Sequence, residues 1–96
     1  MVTPELSLGQ IVATPAALET LAQAGCPPTI LLSRHASGDW GDISREDAAH
    51  NQAALSDGSR ILSSYTIRDQ SIWIITEARD ATGKRPATTI LLPEEY

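Results

Sequence analysis

At Gly58-Ser59 the hydrophobic pattern of this chain changes period, and that change restricts it to one class of fold. Upstream, apolar residues recur at spacings of three and four between helix-start and helix-stop signals; downstream they alternate. Ile61, Ser63, Tyr65 and Ile67 fall on one face, and Leu62, Ser64 and Thr66 on the other. Arg68-Asp69-Gln70 then supplies a turn, Ser71 to Ala78 a β-branched and aromatic run, Asp80-Ala81-Thr82-Gly83 a second turn, and Ala87 to Leu92 a last strand stopped by Pro93. The expected fold is α+β, with two to three N-terminal helices packed on one face of a C-terminal three-stranded antiparallel meander. Gly9 to Ala13 is short and apolar enough to add a fourth, N-terminal edge strand.

Three segments carry the helical signals. Thr14-Pro15 pairs a capping hydroxyl with a proline preset for the first helical turn, and Ala17, Leu18, Leu21, Ala22 and Ala24 run on to Gly25. Thr29 to Ala36 fits a strand by its Ile30-Leu31-Leu32 run, but Pro28 suits a first turn and Leu31, Leu32 and His35 recur at one-turn spacings, so a helix is preferred. Ser44 followed by Glu46 and Asp47 opens a third helix ending at Asp57-Gly58. Its expected sheet-facing side is Ala48, Gln52 and Leu55, with His50 and Asn51 toward the margin.

The 96 residues suit a single domain, 1–96, with residues 1–8 reading as a loose N-terminal arm. Phe is absent, so the core must come from Ile, Leu, Val and Ala, with Trp40 and Trp73 as its two large pieces. A formal charge of −5 argues against a direct nucleic-acid footprint or an anionic membrane partner. Arg79, Lys84 and Arg85 gather near one expected hairpin, where they would form a small positive patch. With Cys26 as the only cysteine, no intrachain disulfide or cysteine metal site is expected; the chain reads as cytoplasmic, without cofactor or membrane anchor. An open sheet edge would invite a second copy, so a homodimer is also an expectation.

Arg34 to Asp42 is the densest candidate site, with a histidine, two carboxylates and an indole set among glycines. On one reading it is a recognition lip, in which Trp40 anchors a partner while Asp39, Asp42 and the following Glu46 fix its polar groups. On the other, Trp40 plugs the core and the carboxylates bond loop amides. A metal set of His35, Asp39, Asp42, Glu46 and Asp47 lacks the ordered spacing of known sites, and no metal is expected. Arg60, Ser63, Tyr65, Thr76, Glu77 and Thr89 could line the sheet, and with His35 they give the alternative of an enzyme: a metal-independent ribonuclease in which His35 is base or acid and Arg60 clamps phosphate, with Tyr65 beside them. Helices followed by a meander loosely resemble the barnase and RelE type, at the level of fold alone. Glu94-Glu95-Tyr96 reads as a solvated acidic tail or one that docks into a basic groove.

Several pieces carry a more specific likeness: Leu32-Ser33-Arg34-His35, Gly38-Asp39-Trp40-Gly41-Asp42, Gly58-Ser59-Arg60-Ile61-Leu62-Ser63, Trp73-Ile74-Ile75-Thr76-Glu77-Ala78 and Thr88-Thr89-Ile90-Leu91-Leu92-Pro93. Over roughly residues 8 to 96 the chain resembles a family of small uncharacterised proteins of bacterial plasmids, phages and integrated elements. It departs from them at Arg79-Asp80 and in the longer turn from Ala81 to Pro86. The resemblance implies a mobile-element origin and carries no catalytic residues with it. It implies an accessory factor that binds a host or element-encoded protein, of the kind that inhibits restriction or CRISPR complexes by covering basic nucleic-acid grooves. Negative charge and an aromatic flanked by carboxylates make non-enzymatic protein binding the leading expectation, with the ribonuclease as its rival.

Overall fold

Local chemistry sets the helix ends where the sequence places them. The computed structural model describes residues 6–96, in the order β1 (Gln10–Ala13), α1 (Pro15–Gln23), α2 (Pro28–Ala36), α3 (Arg45–Asp57), β2 (Ile61–Ile67), β3 (Gln70–Thr76) and β4 (Ala87–Leu91), followed by a short 3-10 turn at Pro93–Glu95. The Thr14 hydroxyl accepts the Ala17 N–H at 3.1 Å and opens α1. That helix closes with Cys26 N–H on the Leu21 carbonyl and Gly25 N–H on that of Ala22, the paired bonds of a Schellman stop. Ser44 caps α3 by accepting the Asp47 N–H at 3.0 Å. Arg68 and Asp69 both take positive φ, which makes the β2–β3 hairpin turn tight.

The sheet has the order β1-β4-β3-β2. β2, β3 and β4 form the antiparallel meander, with Ser64 opposite Trp73 and Trp73 opposite Leu91. The fourth strand exists: β1 runs parallel to β4, Val12 beside Thr89. Three helices and this mixed sheet make the α+β fold that the change of period implies.

Tyr65, at 1% exposure, sits in the main core with Leu21, Leu31, Ile72, Ile74 and Ile90. A second cluster gathers Leu6, Trp40, Ala54 and Ile61 beneath α3. Trp73 is not the second core aromatic. It alternates with buried Ile72 and Ile74, so it lies on the opposite sheet face, in edge-to-face contact with Tyr96 at 5.7 Å. The expected arm also needs revision: residues 1–5 lie outside the described residues, but Leu6 is buried and donates its N–H to the Ala36 carbonyl, while the Leu8 carbonyl accepts the Thr88 hydroxyl.

α3 turns inward a face that only partly matches the one expected: Ala48 and Leu55 pack against the second cluster, but Gln52 does not. Asn51 and Ala54 are buried while Gln52 is exposed. The reason is the outer edge of β2, where Leu62 presents an N–H and a carbonyl with no strand beside them. The Asn51 side chain accepts that N–H at 3.2 Å and donates to that carbonyl at 2.7 Å, so a primary amide stands in for a neighbouring peptide. Ser64, the next outward-facing residue, donates to the Trp40 carbonyl and accepts from the Asp42 N–H. Helix and loop together seal this edge. At the far side of the sheet Ile11 and Val12 of β1 stay almost half exposed.

The three expected patch residues separate. Arg85 is buried and donates to the carbonyls of Ala54, Ser59 and Glu77, and Arg79 donates to those of Leu55 and Ser56. Two guanidinium groups thus bond the Ala54, Leu55 and Ser56 carbonyls at the negative end of α3. Arg79 and Lys84 both stay exposed, and only Arg85 is taken into the interior.

Candidate functional site

The glycine-bounded loop is anchored at nearly every residue. Arg34 grips the Asp39 carboxylate with two bonds, Nε to Oδ2 at 2.7 Å and Nη2 to Oδ1 at 3.3 Å, and the bond holds that carboxyl below the usual carboxylate range. The same guanidinium lies 4.6 Å over the Tyr65 ring. Tyr65 in turn donates its hydroxyl to the Asp39 carbonyl at 2.7 Å, and burial pushes its phenol up to about 12. Gly41 takes φ +70° against β2; any Cβ there would collide with the Ser64 carbonyl and press on the Tyr65 ring. Asp42 accepts the Thr66 hydroxyl at 2.8 Å.

This arrangement separates the proposed binding residues. Trp40 is 9% exposed and packed in the second core cluster, so it is the core plug rather than a displayed anchor. Asp39, Asp42 and Glu46 face solvent. A glycine loop between helices can drive an indole inward as readily as outward, and Ile61, Ala54 and Leu6 supply the apolar socket.

His35 is fully buried under the sheet. Its Nδ1 meets Ser63 Oγ at 2.5 Å and its Nε2 meets Thr76 Oγ1 at 2.8 Å; Thr76 meets Thr88 at 2.8 Å, and Thr88 donates to the Leu8 carbonyl at 2.7 Å. That last acceptor fixes every proton in the line. Thr88 gives its only hydrogen to Leu8, so it accepts from Thr76, which must accept from His35 Nε2–H; Nδ1 is left to accept from Ser63. The imidazole is neutral, and burial, with the Arg85 charge adding to it, pushes its pKa down to about 4.

The residues considered for RNA cleavage do not converge. His35 and Tyr65 lie inside, under the helices, with their polar atoms bonded to protein groups. Arg60 projects from the opposite face of the sheet, its guanidinium 5.4 Å from the Tyr96 ring. Of the other sheet residues considered, Ser63 and Thr76 belong to the buried line, while Glu77 is exposed. Among the described residues, no three His, Cys, Asp or Glu side chains are grouped to hold a metal ion, and no helix is long and apolar enough to cross a membrane. The acidic tail is docked on this chain itself: Glu95 accepts from the Thr14 hydroxyl at 2.7 Å and the Leu92 N–H at 2.8 Å.

One depression was not expected. Asp47, His50 and Asn51 of α3 face Ser59, Arg60 and Leu62 across a cleft of about 360 Å³. The three helical residues share one face at spacings of three and four, which the sequence shows. Their meeting with Arg60 depends on how α3 docks against β2. Set against known proteins, the chain matches no family model, no curated protein and no solved structure.

Proposed function

We propose that this protein acts by binding another protein through a ledge of carboxylates, the anchored Asp39 and Asp42 with the exposed Glu46 beside them. The target surface in this reading is a basic groove that otherwise holds nucleic acid, in a host-defence complex of the class that the mobile-element resemblance implies. The observation that carries it is the anchoring of the loop: Arg34 and the Gly41 N–H hold Asp39, Thr66 holds Asp42, and the loop backbone pairs with Ser64 on both sides. Carboxylates already fixed in place lose little freedom on binding, and a net charge of −5 steers the chain toward a basic partner. Trp40 contributes through the rigidity it gives the loop.

The test is a pulldown from host lysate with the wild-type chain and with the Asp42→Lys/Glu46→Lys double variant. Both positions are exposed, so the variant should keep its fold by circular dichroism. A single defined partner is expected on the wild type only, with retention falling steeply as salt is raised. A partner held equally by the variant would reject the ledge.

A further inference from the structure

The cleft between α3 and the start of β2 brings together donors that have no partner among the described residues. Among the described residues Arg60 makes neither an ion pair nor a hydrogen bond; the one salt bridge joins Arg34 to Asp39, Arg68, Arg79 and Arg85 are bonded to main-chain carbonyls, and Arg45 and Lys84, unbonded like Arg60, do not line the cleft. Arg60 instead lies along the ring of Tyr96, which is 64% exposed. The His50 imidazole shares the cleft, and Asp47 supplies an acceptor on the α3 wall. Asn51, bonded twice to Leu62, makes a rigid floor.

We infer that this cleft binds a small phosphate ester bearing a planar base, a ligand with the size and chemistry of a mononucleotide. A guanidinium presents paired N–H donors that match two phosphate oxygens, and the His50 ring adds a donor on the facing wall. The Asp47 carboxylate, which would repel phosphate, suits the hydroxyls of a sugar. The exposed Tyr96 ring, outside the cleft lining but 5.4 Å from the Arg60 guanidinium, offers a base a stacking surface at its mouth. The cleft volume lies within the range of small-ligand sites, about 300–1,000 Å³. Net charge selects the class: a nucleic-acid strand would bring many phosphates to a chain of charge −5, whereas one phosphate needs only this local pair of donors.

The proposal is tested by titrating adenosine monophosphate, adenosine and inorganic phosphate separately into the ¹⁵N-labelled chain. The monophosphate should shift the amide signals of His50 and Ser59 to Leu62 saturably. Adenosine and free phosphate should each bind about tenfold more weakly, as should the monophosphate on the Arg60→Gln variant. Tyr96→Ala should weaken the monophosphate and leave inorganic phosphate unchanged. Retained signal dispersion shows that each variant is folded. No saturable shift up to roughly 10 mM, or equal affinity in Arg60→Gln, overturns the site. Free phosphate binding as tightly as the monophosphate overturns the base-stacking half and leaves an anion site.

Discussion

The two histidines of this chain occupy opposite kinds of surroundings. His35 has both ring nitrogens bonded in a line that ends on a main-chain carbonyl, whereas His50 faces an open cleft beside an arginine that has no counter-ion among the described residues. Polar density is greater around His35, yet nothing there is left over to meet a ligand. The difference shows that function is marked less by how many polar residues gather than by how many hydrogen-bonding groups stay unmatched after folding.

The comparison can be broken most forcefully at the interior. Replacing Trp40 by Ala empties the socket among Leu6, Ala54 and Ile61 and should cost about 4 kcal/mol, read as a large fall in the urea midpoint. A loss under 1 kcal/mol would mean that the loop is not fixed by its indole. Next comes acid. His35 titrates at about 4 when folded and near its ordinary 6.5 when unfolded, so between these values the unfolded chain binds the extra proton. Stability is complete above pH 6.5, falls as pH drops through that window, and levels below 4, a change of about 3 kcal/mol. Urea melts across pH 3.5 to 7.5 should show this slope in the wild type, whereas His35→Gln should be flat above about pH 5 and keep only the carboxylate contribution below it.

Asn51→Ala leaves the Leu62 N–H and carbonyl without their partner and should cost about 2 kcal/mol, with faster amide exchange at Leu62. Arg60→Gln should be the smallest in stability, within about 0.5 kcal/mol of wild type in the same melts. A large loss there would make Arg60 a structural residue and erase the contrast between interior and cleft.

Residues whose partners lie close in the chain were readable before the structure. Thr14-Pro15, Ser44 and Gly58 act within a helical turn, so their spacing carries their role, and the change of period at Ser59 carries the meander. The His35 position beside an apolar stripe was legible too, but its partners stand 28 and 41 residues away. Asn51 looked marginal because polarity alone places it at a boundary; only the edge of β2 gives its amide a reason to be buried. Arg85, between a lysine and a proline in a turn, has no local sign of its three carbonyl acceptors. At the candidate site, Asp39 and Asp42 were legible as surface carboxylates. The inward turn of Trp40 and the joining of His50 to Arg60 depend on tertiary docking that no spacing encodes.

The pairing of β1 with β4 has a temporal consequence. The Gln10 N–H bonds the Pro86 carbonyl and the Leu8 carbonyl takes its hydrogen from Thr88, 80 residues onward. A ribosome releases all three helices before any part of the meander that covers them, and the first strand finds its neighbour only when the last has emerged. Such distant contacts must close a long loop before they return any stability, which slows folding and leaves the apolar faces of the helices bare meanwhile. The sheet is therefore completed only once β4 has been made, and a truncation just short of Ala87 would remove the strand that β1 joins.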